Sequence, residues 1–297
     1  MSEVFQQDLS DEERPGGPFL MQLLFREAVP FPGQEEMSAV LAQHCGEVEC
    51  FCCDEKMAGF AALDHIVEFK DGAAPVQLLI LSCTDFDGSS IDSFVRSQMW
   101  DCREDRDRIL EECRYQVVAV DMLAAGLPSQ ERANLDMDFM EALAELYPSC
   151  EAFYSQNCGK LFRAQDVRNH SFTGLSRFIQ FGVNARFFNI EGTEDMLVDT
   201  VGMQTLFLPD LQYHFRDMDP NWVVNHAYNL ADYLLQNDCP IDSGDTVDGI
   251  INGRITPDIQ WRCQYEASLI QPPRGVLDVR MGSYAAGTYE EDSRQCP

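Results

Sequence analysis

The sequence predicts an α+β protein in which mixed or antiparallel sheets are flanked by helices. Short apolar runs at 19–25, 76–83 and 117–120 are bounded by polar turns, as buried strands are. Between them, apolar residues recur at helical spacing: Met37, Val40, Leu41 and His44, then Met140, Leu143, Ala144 and Tyr147. The order strand, helix, strand, turn, strand occurs twice, with 150–162 answering to 49–60, which suggests duplication of a small ferredoxin-like unit.

Taken in order, the first strand at 19–25 ends in a turn at Pro30, Pro32 and Gly33. The helix that follows has Glu35 and Glu36 in its positive first turn and Gly46 as its left-handed stop. Strands are expected at 48–53, 60–69 and 76–83, the last almost wholly apolar and so central in a sheet. Helical segments at 94–100 and 104–113 lead to the strand at 117–120, and a helix at 136–147 is closed by Pro148. Residues 178–190 alternate, with Phe181, Val183, Ala185 and Phe187 on one face and Gln180, Asn184 and Arg186 on the other, predicting a half-buried strand. A second strand is expected at 203–208. Asp219 as N-cap and Pro220 at the first helical position start a helix whose buried stripe is Val223, Ala227, Leu230 and Leu234. Strands at 246–251 and 276–279 complete the series, with Pro272 and Pro273 marking a turn. The expected division is a flexible leader at 1–18, an N-terminal α+β domain at 19–162, a C-terminal α+β domain at 176–281 and a flexible tail at 282–297.

The 297 residues carry 50 Asp and Glu against 21 Lys and Arg, a net charge of −29. Such a field repels phosphate, and no run of basic residues exists, so direct binding to nucleic acid or to an anionic membrane is not expected. The acids are spread along the chain, which suits solubility, but they also suit a basic protein partner or mimicry of nucleic acid. No apolar run reaches the ~18–20 residues that span a bilayer. The polar, acidic start of the chain is unlike a signal peptide, so a cytoplasmic protein with reduced thiols is expected despite its 12 cysteines.

Cys50 and Cys53 satisfy C-x-x-C formally, but a structural zinc site needs a second pair or spaced histidines. Alternation sends Cys50 and Cys52 to one strand face and Cys53 to the other, so these residues are read as core packing and no metal or cofactor is expected. His214 and His226, with Asp217 nearby, are the catalytic candidates, as a metal-dependent hydrolase would use them. Against this, His226 lies one helical turn from both Trp222 and Leu230, where a packed histidine is the simpler reading. Asn225, Tyr228, Asn229 and Asp232 lie on the polar side of the same helix and are the candidate binding face. The common nucleotide, hydrolase and zinc-protease motifs are absent from the sequence.

The stretch from 208 to 279 resembles the bacterial family named domain of unknown function 4261. The resemblance rests on Leu208 to His214, Asp219 and Pro220, Tyr228 and Asn229, Gly244 to Thr246, and Ser268 to Pro273. Residues 98–132 are also similar to what precedes this domain in family members. The resemblance implies a bacterial cytoplasmic α+β protein and transfers no catalytic residue. Two functional classes follow. The first is a protein-interaction or immunity-type module that meets a basic partner through its acidic surface; the second is an enzyme with an unrecognised site around His214 and His226.

Overall fold

A computed structural model describes residues 16–287. The elements are β1 (Leu20–Phe25), α1 (Gln34–Cys45), β2 (Val48–Cys53), β3 (Met57–Phe69), β4 (Gly72–Leu81), β5 (Thr84–Asp85), α2 (Ser93–Ser97), α3 (Arg106–Glu112), β6 (Tyr115–Met122), α4 (Ser129–Leu146), β7 (Ala152–Ser155) and β8 (Lys160–Arg163). They continue with α5 (Ala164–Asn169), α6 (Ser176–Gly182), β9 (Asn184–Asn189), β10 (Met196–Val201), β11 (Asp210–Phe215), α7 (Pro220–Gln236), β12 (Thr246–Ile251), β13 (Arg254–Ala267) and β14 (Gly275–Arg280). The fold is α+β, as the sequence patterns require. No helix among the described residues is long and apolar enough to cross a membrane.

The first sheet runs β2-β3-β4-β6-β1-β7-β8, with β5 paired beside β6, and its pairings are antiparallel. β1 lies near its centre and is buried on both faces, which is why its sequence is nearly all apolar. Met21, Leu23 and Phe25 join the main core, whereas Leu24 belongs to a smaller cluster with Ile109, Leu110 and Tyr154 on the opposite face. The second sheet runs β12-β13-β14-β11-β10-β9 and is mixed, because β11 and β14 are parallel. α7 packs on β9, β10 and β11, while α4 packs on α1, α5, α6 and α7. The main core is continuous across both sheets.

Buried polar bonds join the two halves of the chain. Arg132 of α4 donates to the Asp121 carboxylate at 2.9 Å and to the backbone carbonyls of Gly17 and Thr205. Asp136, one turn on, is fully buried, and burial together with the Asp121 charge holds its carboxyl well above the ordinary range. Lys160 places its ammonium at 2.5 Å from the Gln180 carbonyl and 2.8 Å from that of Val183, at the C-terminal end of α6. Asn184 donates to the carbonyls of Gln98 and Cys158, and the Gln98 side chain in turn accepts from the Phe187 amide.

Several expectations need correction. α4 begins at Ser129, seven residues before the expected start, because Arg132 and Asp136 are buried and so break the apolar stripe. Residues 176–182 are helical, and only 184–189 form the strand expected over 178–190. The supposed polar face of that strand is buried too, with Asn184 bonded to the Gln98 and Cys158 carbonyls and Arg186 engaged by the network described below. No strand forms at 203–208. There Met203–Leu206 is a short 3-10 turn, preceded by Gly202 at φ 135°. A Cβ on Gly202 would lie 2.1 Å from the Gly182 carbonyl oxygen, so only glycine lets the chain turn there. The strands flank this turn as β10 and β11. The expected tail starts too early: Ala285 bridges to Phe215, the Ala286 amide donates to the His214 carbonyl, and Ala286 is buried. Residues 1–15 and 288–297, the remainder of the expected leader and tail, lie outside the described residues.

Asp219 caps α7 by accepting from the Asn221 amide at 2.9 Å, and Pro220 occupies the first turn. Leu230 is buried and Asn229 is exposed. Leu230→Ala is expected to destabilise the fold by ~2–5 kcal/mol, and Asn229→Ala to stay within ~0.5 kcal/mol, both read from urea melts. Ending the chain at Met281 removes the 282–287 contacts and is expected to lower the melting midpoint by about 2–4 °C, the equivalent of ~1 kcal/mol; an unchanged midpoint would restore the tail as first drawn.

Candidate functional site

The two histidines do not converge. His214 and Tyr213 are neighbours on β11, so their side chains leave opposite faces of the sheet. Tyr213 faces α7, where its hydroxyl donates to Nδ1 of His226 at 2.8 Å. Nε2 of the same ring donates to the Asp248 carbonyl at 2.7 Å. With both nitrogens engaged and burial lowering its pKa, His226 is a neutral structural side chain. His214, on the other face, lies 3.4 Å from Asp195, and burial lowers its pKa as well. Asp217 is exposed in a left-handed turn at φ 58°. No group of three or more His, Cys, Asp or Glu among the described residues is placed to hold a metal ion.

The candidate binding row on α7 divides in two. Asn225 and Asn229 are exposed, and the Asn229 amide donates to the Asn225 carbonyl at 2.7 Å. Tyr228 and Asp232 turn instead toward α6, β8 and β9. The Tyr228 hydroxyl accepts from the Ala185 amide, and Lys160 sits over its ring. Asp232 accepts from Ser176 at 2.9 Å and from Gln236 at 2.6 Å.

Asn229 also lines a groove of about 380 Å³ between α7 and the β12–β13 hairpin. Its walls include His226, Leu230 and Tyr233 from the helix, and Val247, Asp248 and Ile255 from the hairpin. Trp222 lies against Gly253 at the hairpin tip, where a Cβ would come within 2.9 Å of the indole. Residues 222, 226, 229, 230 and 233 thus form a second stripe on α7, beside the buried one at 223, 227, 230 and 234. Sequence reasoning missed it because an asparagine and a histidine interrupt it, yet Trp222 and Tyr233 at i and i+11 mark its ends.

On the opposite face of the second sheet lies a polar row, buried except at Gln264. The strand register sets Arg186, Asp199, Gln212, Asp278 and Gln264 side by side across β9, β10, β11, β14 and β13. Arg186 meets Asp199 through two bonds at 2.8 and 2.5 Å. Arg274, 2% exposed, donates to Asp199 at 2.7 Å and to Asp210 at 3.2 Å. These guanidiniums also hold the loop 268–274 onto the sheet. Arg274 donates to the carbonyls of Ile270 and Pro272, Arg186 to that of Gln271, and Gln212 accepts from the Leu269 amide. The network is internal and positions a loop. A lone Asp within apolar MLVDTV and VLDVR is the sequence signal that could have revealed it.

Asp278 accepts from Gln212 through Oδ1, while Oδ2 has no partner among the described residues. Burial pushes its carboxyl up to about 6, against 3.8 for an ordinary aspartate. Between these limits the folded state binds more protons than the unfolded one. Stability is therefore lost as pH rises through that window, a deficit of roughly 3 kcal/mol once complete. Asp278→Asn is expected to melt above the parent protein at pH 8 and to lose that advantage toward pH 5 in a thermal-melt series; an advantage that grew on acidification would reverse the assignment.

Residues 199–280 match the family model described as Domain of unknown function (DUF4261). The matched span holds Asp199, Asp210, Gln212, Arg274 and Asp278, together with α7 and the β12–β13 hairpin, and leaves out Arg186 and residues 98–132. No curated protein and no solved structure matches the chain.

Proposed function

We propose that the chain is a protein-binding module whose acidic C-terminal surface engages a basic partner. The distribution of charge supports this reading best. Residues 219–260 hold seven aspartates, at 219, 232, 238, 242, 245, 248 and 258, against the single cation Arg254. All but Asp232 are exposed. A field of one sign on one surface speeds and selects encounters with an oppositely charged protein. The histidine geometry gives a competing hydrolytic centre no support, because His214 projects from one face of the second sheet while His226, on α7, packs against the other. An immunity-type role, in which the module neutralises a basic toxin or effector, is the narrower form of this proposal. The encounter is placed, as part of this proposal, in the cytoplasm, where thiols are kept reduced.

The test is partner capture from native-host extract onto the immobilised protein. A basic protein is expected to bind at ~0.1 M salt and to be released at ~1 M, as the Debye length falls from ~10 to ~3 Å. The combined exchange Asp238→Asn, Asp242→Asn and Asp258→Asn is expected to lose it without loss of folding. Retention of the partner at high salt, or by the triple variant, would show that charge does not select it.

A further inference from the structure

We infer that the groove between α7 and the β12–β13 hairpin is the docking site for a short segment of the partner protein in which apolar and basic side chains alternate. This rests on the interaction reading above and adds its place and its chemistry.

The groove wall is apolar where it is open. Tyr233 is 48% exposed and Ile255 40%, with Leu230, Ile241 and Val247 deeper, and Trp222, 38% exposed, stands at the hairpin end. Large exposed apolar side chains gathered on one concavity mark interaction sites, and Trp and Tyr anchor such sites more than other residues do. Apart from the exposed Tyr233 hydroxyl, the lining polar side chains are engaged within the protein. His226 is held by Tyr213 and the Asp248 carbonyl, Asn229 by Asn225, Thr246 by Gln260, and the Asp248 carboxylate by Gln260 at 2.7 Å. The floor therefore offers little directional bonding with which to orient a small polar ligand. What it offers is apolar contact under a negative field.

That combination selects the occupant. Exposed aspartates at 242, 245, 248 and 258 lie on the strands and turn that form the hairpin side. A segment that seats Leu-like side chains against Tyr233 and Ile255 would carry its intervening side chains to this acidic surround, where Lys or Arg is favoured and Asp or Glu repelled. An uncharged apolar segment would use only half of the surface.

The test uses three synthetic peptides: alternating Leu and Lys, the same with Glu for Lys, and the same with Gly for Leu. Titration into the isotopically labelled protein is followed by amide and indole shifts, with affinities from calorimetry. The Leu-Lys peptide is expected to perturb the Trp222 indole, Tyr233 and Ile255, and the other two to bind at least about tenfold more weakly. Tyr233→Ala and Ile255→Ala, both at exposed positions, are each expected to weaken the Leu-Lys peptide about tenfold, as contact residues do. Leu269→Ala, exposed on the opposite side of the sheet, is expected to leave affinity within about twofold. If the Gly-Lys peptide binds equally well, or the shifts map elsewhere and the variants are silent, the groove is not the site although the interaction reading stands. If no basic peptide binds and no salt-sensitive partner is captured, the interaction reading itself falls. An apolar dye, anilinonaphthalene sulfonate, supplies the last arm: binding that Tyr233→Ala abolishes but the Leu-Lys peptide does not displace would make this a small-molecule pocket and overturn the inference.

Discussion

Arg274 is the side chain on which the second sheet is organised. Its guanidinium reaches Asp199 on β10 and Asp210 on β11, and the carbonyls of Thr200, Ile270 and Pro272. Two buried carboxylates side by side on one sheet would repel each other without it. With it they fix the pairing of two strands and the path of the following loop in one set of bonds. Arg186 completes the arrangement from β9 by sharing Asp199 and taking the Gln271 carbonyl. Removing water from so many charges is costly, and an apolar core of similar volume is often as stable. What the ionic arrangement adds is direction. Three successive loop carbonyls point inward, which leaves Leu269 and Pro272 exposed on a braced backbone.

Much of the fold was legible because its signals are local. The Asp-Pro start of α7, the apolar period of α1 and the runs of β2, β4 and β6 each lie within a single segment. Two of the errors fall where a buried polar side chain interrupts a pattern and has its partner on another element. Arg132 and Asp136 hid the first two turns of α4, since Asp121, the partner of Arg132, lies on a different element. Asn184 and Arg186 made a doubly buried strand look half exposed. Period alone also could not separate helix from strand at 178–182, where Phe178, Phe181 and Gly182 suit one and Phe181 and Val183 the other.

The functional candidates show the same division. His226 was legible as a packed histidine from its spacing to Trp222 and Leu230, but its partners, Tyr213 and the Asp248 carbonyl, come from two strands that spacing does not reveal. Tyr228 and Asp232 look like solvated residues on a helical wheel, and become interior contacts only because α6 and Lys160 pack beside that side of α7. The groove needs both the helix and the hairpin, so no single segment announces it.

β10 lies between β9 and β11, and Asp199 lies between Arg186 and Arg274. A gene fragment begun at residue 199 would cut β10 in its middle, delete β9 and turn an interior strand into an open margin. It would also strip from α7 the cover of α6 and the ammonium of Lys160. The span that sequence comparison recognises is thus shorter than the piece of chain that can be excised intact. A workable excision has to reach upstream past α6, and the bonds from Asn184 to Gln98 and Cys158 carry that requirement into the first sheet.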